Sequence, residues 1–160
     1  LRNFARKDGP DLEQGDLVQI YRDSLTILRG KIGGNIQIQE QMPERAEAWC
    51  NPGQIGQVFV NLLQNAAQAM PEGGVLTIRI QALDEHWQVD IEDTGHGIPE
   101  SVRDKVFDPF FTTRPIGEGV GLGLSMVFGI IQRHQGRIEA LPKDPGTLFR
   151  IELPNSSSQK

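Results

Sequence analysis

The sequence is poor in cysteine: Cys50 is the only one in 160 residues. One thiol excludes an internal disulfide framework and any metal centre built from several cysteines. It fits a reducing setting, so a cytoplasmic location is expected. Long apolar runs are also missing. None approaches the ~20 residues that cross a bilayer, and no signal-peptide pattern is visible, so no membrane contact by this segment is expected. Any membrane anchor of a parent protein would lie elsewhere. Basic residues are few and scattered: 16 Lys and Arg against 21 Asp and Glu leave a net charge of −5. A phosphate backbone needs a basic face, so a nucleic-acid partner is not expected. There is no internal repeat.

What is present is ordinary globular material, 38% apolar and 23% charged, enough for one core. Glycine is the exception. Five of the 18 glycines lie between Gly117 and Gly129, which points to a loop shaped around a ligand.

Residues 1–15 carry Leu1 and Phe4 at helical spacing, then Gly9-Pro10. They read as the last turns of a longer helix followed by a linker. Asp16 with Gln19 three positions on gives a capping-box pattern, and Val18, Tyr21, Leu25 and Leu28 form an apolar stripe, so a helix is predicted up to Gly33-Gly34. "NIQIQEQ" alternates as a strand does. Asn51-Pro52 is a helix start, cap and first position. Ile55, Val58, Leu62, Ala66 and Ala69 continue it with period 3.6 until Pro71 and Gly73-Gly74. "VLTIRIQAL" and "WQVDIED" form a hairpin about Asp84-Glu85. A short helix is expected near Glu100 to Lys105, a further helix over "LGLSMVFGIIQRH", and two closing strands about Pro145-Gly146. Residues 155–160 read as a disordered tail. Strands come in hairpin-like pairs rather than singly between helices. The expected class is α+β: a two-layer α/β sandwich, with a mixed, mostly antiparallel sheet and helices on one face.

Three stretches carry candidate chemistry. In "NLLQNAAQAM", Asn61 and Asn65 stand one turn apart on one helix face. Asparagine is a poor helix former, but its carboxamide oxygen suits a hard cation such as Mg²⁺, which shares its ligands with phosphates. A pair of water-facing asparagines is the plain alternative. In "DTGHGIP", Asp93 ends a strand before Gly95-x-Gly97. Glycines there let the backbone pass close to a ligand, and the acid can accept a hydrogen bond from an exocyclic amine; a simple turn is the alternative. In "GEGVGLGLS", Gly117, Gly119, Gly121 and Gly123 alternate into a helix start, an arrangement suited to anions. It is not a Walker A sequence, since no Gly-Lys-Ser/Thr follows, and no β-α-β unit surrounds it. A flexible surface loop is the alternative.

Taken together and in this order (N-x-x-x-N-A, D-x-G-x-G-I, F-x-x-F-F, G-x-G-x-G-L-G-L-S), these stretches resemble the catalytic and ATP-binding domain of sensor histidine kinases. That domain shares the Bergerat fold with gyrase B, Hsp90 and MutL. The resemblance covers residues 16–154. It implies ATP and Mg²⁺ as cofactors: Asn65 on the metal with Asn61 beside it; Asp93, Gly95 and Gly97 around adenine, aided by Thr147; Phe107, Phe110 and Phe111 beside a lid. Thr113, Gly119, Gly121, Leu122, Gly123 and Leu124 would line the nucleotide. The related hydrolases carry a glutamate in place of Asn61. A carboxamide is no general base, so ATP would be held for an external histidine rather than hydrolysed. That histidine is expected on an upstream dimerisation and phosphotransfer domain, with a response-regulator receiver domain downstream. Two departures stand out. Gln68 replaces a common Lys or Arg, and Thr112 replaces a common Arg; Arg114 is the expected substitute for neutralising phosphate charge. Other readings are a hydrolysing ATPase of the same superfamily, or a non-catalytic docking module. Of the histidines, His86 is expected to face solvent, His96 to be a turn residue, and His134 to sit charged at a helix C-terminus.

Overall fold

A computed structural model describes residues 11–109 and 123–155. The elements run β1 (Glu13–Asp16), α1 (Leu17–Leu28), β2 (Ile36–Gln41), β3 (Glu47–Cys50), α2 (Pro52–Gln68), β4 (Gly74–Leu83), β5 (His86–Asp93), a 3₁₀ turn (Glu100–Lys105), α3 (Gly123–Arg133), β6 (Arg137–Pro142) and β7 (Thr147–Pro154). The main sheet has the order β2-β4-β5-β7-β6. Only β2 and β4 are parallel; the other neighbours are antiparallel. The expected mixed, mostly antiparallel sheet is what forms.

Strand alternation divides the sheet into two faces. Leu76, Ile78, Ile80, Val89, Ile91, Phe149 and Ile151 point inward and join the buried stripes of the three helices in one core. The helix stripes are Leu17, Val18, Tyr21 and Leu25 on α1, Ile55, Phe59, Leu62 and Leu63 on α2, and Val127, Ile130 and Ile131 on α3. The other face carries charge. Arg79, Asp90, Arg150 and Glu139 lie in one row across four strands, with alternating sign. Arg150 grips Asp90 with two bonds of 3.0 and 3.1 Å, and Arg79 approaches the same carboxylate at 3.6 Å. Asp90 is thereby 2% exposed on a sheet face whose partners are polar.

Two strands depart from the sequence reading. Glu13–Asp16 pairs antiparallel with Glu47–Cys50 as a separate two-stranded sheet, so part of the stretch read as linker is a strand. Four residues each are too short to show a period. Asp16 does cap α1, accepting from the backbone N–H of Val18 at 3.0 Å and of Ala46 at 2.8 Å. Gln19, however, does not close a capping box; its amide donates to Asp23 at 2.9 Å. The helix stops at Leu28, short of Gly33-Gly34. Asn51 caps α2 as expected, accepting from Gln54 N–H at 2.9 Å.

Candidate nucleotide site

The site is built where β5 ends. Asp93 is the last residue of β5 and is 4% exposed. Its Oδ1 accepts from the Gly95 N–H at 2.8 Å, and the Thr147 N–H also donates to it. Burial raises the Asp93 pKa above the ordinary carboxylate value, opposed by these two backbone bonds. A carboxylate sunk in this way is an acceptor held ready for a donor from outside. Thr147 lies directly opposite Asp93 in the register of β5 and β7 and is 5% exposed. Sequence reasoning had joined these two residues only by resemblance; the strand register places them side by side.

Two glycines let the backbones close on this point. A Cβ on Gly95 would overlap the carbonyl of Ala69 at the end of α2, while the next N–H, that of His96, donates to the same carbonyl at 3.2 Å. Gly146 takes φ +107°, and a Cβ there would overlap the carbonyl of Asp93. Gly97 sits directly against Gly146. The turn after β5, the end of α2 and the start of β7 therefore form one packed knot around the acid. Ala69 and Gly146 were not foreseen, because their role comes from backbone approach and not from side-chain chemistry.

Helix α2 carries the knot to the asparagines. Asn61, Asn65 and Ala69 follow in steps of four, so they share a face, about 12 Å from first to last at the rise of an α-helix. The Asn61 amide nitrogen donates to the Gln57 carbonyl at 2.9 Å. Its Oδ1 is turned toward the start of α3, where a Cβ on Gly123 would come to 3.0 Å from it. Asn65 is half-buried between these two ends. Leu124, one residue into α3, packs against the core. The structure thus brings Asn61, Gly123, Ala69, Gly95, Asp93 and Thr147 along one side of α2.

Phe107 packs in an aromatic group, 5.5 Å from Phe128 and 6.2 Å from Phe149 between ring centroids. Its ring packs against the core. Phe110, Phe111, Thr113, Arg114, Gly119, Gly121 and Leu122 lie outside the described residues. Among the described residues no group of three or more His, Cys, Asp and Glu side chains could hold a metal ion. The carboxamide oxygens of Asn61 and Asn65 suit Mg²⁺ in one way: this ion takes few protein ligands and completes its shell with phosphates and water.

The histidines divide. His96 is exposed, with Nδ1 2.8 Å from the Gly97 carbonyl, as a turn residue would be. His86 is half-buried, 3.9 Å from Glu152, and not fully solvent-facing. His134 requires a correction. It is structural, but buried and neutral instead of charged: desolvation lowers its pKa, and both ring nitrogens meet backbone groups. A separate cleft of about 390 Å³ lies between α1 and α2, lined by Leu28, Lys31, Ile32, Asn35, Gln64 and Gln68. It contains none of the candidate residues.

The sheet, the sunken acid and the asparagine helix define a nucleotide-binding α/β sandwich domain. The chain belongs to the family described as histidine kinase-, DNA gyrase B- and HSP90-like ATPases, which matches residues 50–157. It is 38% identical to the sensor kinase CckA of Brucella abortus over the whole of this chain and 19% of that protein. It resembles the solved catalytic domain of histidine kinase ThkA with a TM-score of 0.85 at 30% identity, covering 94% of this chain and 99% of that one. A solved complex of ThkA with the response regulator protein TrrA matches 93% of this chain and 43% of that one, with a TM-score of 0.81 and 29% identity. The chain therefore spans about a fifth of the length of CckA.

Proposed function

We propose that this chain is the ATP-binding catalytic domain of a two-component sensor histidine kinase. The observation that carries the reading is the buried Asp93 carboxylate, tied through Gly95 to the same helix that presents Asn61 and Asn65. One end of the site accepts from an amine and the other offers neutral oxygens where a magnesium–phosphate group would sit.

In this reading Asp93 and Thr147 bind adenine, and Asn65 holds Mg²⁺ with Asn61 beside it. The glycine stretch (Gly119, Gly121, Gly123), with Phe107, Phe110, Thr113, Leu122 and Leu124, encloses the nucleotide. Arg114 neutralises phosphate charge. Magnesium supplies charge neutralisation on the transferring phosphoryl group. The chain's own residues act by positioning and by excluding water. Asn61 cannot take a proton from water, so the γ-phosphoryl is kept for an imidazole. That imidazole belongs to a dimerisation and phosphotransfer domain of the same protein, which leads into the catalytic domain ahead of β1. The catalytic domain, expected over residues 16–154, takes in β1 and so starts at Glu13. The complex of ThkA with its response regulator supports a receiver-domain partner here. Cytoplasmic placement, without nucleic-acid or membrane contact by this domain, belongs to the same reading; among the described residues no helix is long and apolar enough to cross a membrane.

The test is a calorimetric titration with AMPPNP, with and without Mg²⁺, on wild type and Asn65→Ala. Wild type is expected to bind more tightly when Mg²⁺ is present. The variant is expected to lose that gain, about tenfold or more for a lost charge-assisted contact, while keeping its metal-free affinity. A metal-independent wild type would remove Asn65 from this role.

A further inference from the structure

His134 follows directly on α3 and is 4% exposed. Its Nδ1 lies 2.8 Å from the carbonyl of Ile130. A carbonyl can only accept, so Nδ1 carries the proton. Its Nε2 lies 3.0 Å from the backbone N–H of Asn51, which can only donate, so Nε2 is bare. The two contacts fix one neutral tautomer.

Asn51 is no arbitrary partner. It ends the approach from β3 and caps α2, with its side-chain oxygen on the Gln54 N–H. The ring therefore joins the last turn of α3 to the first turn of α2. At the other end of α3, Gly123 lies against Asn61. The two helices run antiparallel and meet at both ends of α3. One meeting point, Gly123 against Asn61, is at the nucleotide site. The other is about 15 Å away along α2 at the rise of an α-helix, and it depends on a single imidazole. Among the described residues no other side chain bonds to the Asn51 N–H.

We propose that His134 is a positioning residue for the nucleotide site. Its neutral ring sets the axial register of α3 on α2, and so fixes where Gly123 and Leu124 stand relative to Asn61 and Asn65. The proposal rests on the nucleotide reading above. It adds that a residue touching no ligand controls how the end of the glycine stretch meets the asparagine helix. Small displacements matter here, because sites that act by positioning lose efficiency when their groups move by about 1 Å. The ring differs from an apolar spacer in one respect: it accepts. Leucine at this position fills the space and leaves the Asn51 N–H unpaired; glutamine restores an acceptor.

Binding of Mg²⁺·AMPPNP is to be measured for wild type, His134→Leu and His134→Gln, well below each melting temperature. The leucine variant is expected to bind about fivefold or more weakly, the low end of a typical coupling between sites, and the glutamine variant within about twofold of wild type. Coupling is reciprocal, so nucleotide must also act on the pin. The ¹⁵N signals of the His134 ring and the Asn51 amide in wild type are expected to shift on saturation with AMPPNP. This second measurement stands even if the leucine variant does not fold. Unmoved ring and amide signals, a leucine variant binding as wild type does, or a glutamine variant as weak as the leucine one would each overturn the proposal. A wild type that binds no nucleotide would instead overturn the function proposed above, a result seen before any variant is made.

Discussion

Asp93 carries opposing demands. Burial raises its pKa above the unfolded value of about 3.8. The native state therefore binds this proton more readily than the unfolded chain. The contribution to stability is greatest at low pH and is lost as pH rises through the folded value. At pH 7 the nucleotide-free protein holds an ionised buried acid at a net cost, partly offset by the Gly95 and Thr147 N–H bonds. Asp93→Asn removes both the charge and the cost. Its amide oxygen can still accept from Gly95, but its nitrogen would meet the amine of the proposed adenine donor to donor. The expected result at pH 7 is a melting temperature within about 3 °C of wild type, with AMPPNP affinity lowered about ten- to a hundredfold. On lowering the pH toward 4, wild type should gain stability relative to the variant; the opposite drift would show that the carboxylate is not held at a cost. His134 shows what a sequence conceals at this scale. Its place at a helix end was plain, but its neutral state follows from burial in the folded core, beside a residue 83 positions away, and no local pattern carries that.

At the scale of elements, the long periodic ones were legible. The cap and period of α2, the β4–β5 hairpin and the closing β6–β7 pair stand where their apolar spacing and turn residues put them, because each buries a continuous stripe. The four-residue β1 and β3 were not legible, since their pairing with each other supplies the order that their own length cannot. Nor does spacing reveal that β2 pairs in parallel with β4. The charge row on the open sheet face is another product of register. Asp90 lies on the face opposite Asp93, being an odd number of residues away, and it is buried by Arg79 and Arg150, each about a third exposed. Asp90→Ala leaves two guanidinium groups facing each other across β5. Removing one partner of a fully buried pair costs about 3–5 kcal/mol. Solvent access to both arginines lowers that to about 2 kcal/mol, or about 4–8 °C in a domain of this size. Thermal unfolding should show that drop while AMPPNP affinity stays at wild-type level. A parallel loss of affinity would mean that the two sheet faces are coupled.

For the whole molecule, the question is what becomes of bound ATP. The described part of the site offers Asn61, Asn65 and Asp93. Two are amides without useful basicity, and the third is committed to backbone N–H groups at the adenine end. None can activate water at the phosphate end. Nor does the chain supply its own acceptor: His134 is buried with both nitrogens engaged, His86 lies half-buried on the open sheet face beside Glu152, and His96 belongs to the turn after Asp93. Binding and turnover should therefore separate. The 160-residue chain, incubated with γ-labelled ATP and Mg²⁺, is expected to bind nucleotide, release almost no phosphate and take no label. The histidine-bearing segment proposed upstream, supplied in trans, should become labelled, with the γ-phosphoryl leaving the β-phosphate oxygen for an imidazole nitrogen. Arg114→Ala divides this further. A side chain that neutralises charge only as the phosphoryl group moves should lower the labelling rate about a hundredfold and leave ADP affinity within about twofold. Equal loss of both would make Arg114 a binding residue, and steady phosphate release by the chain alone would move it from the kinases to the hydrolases of its family.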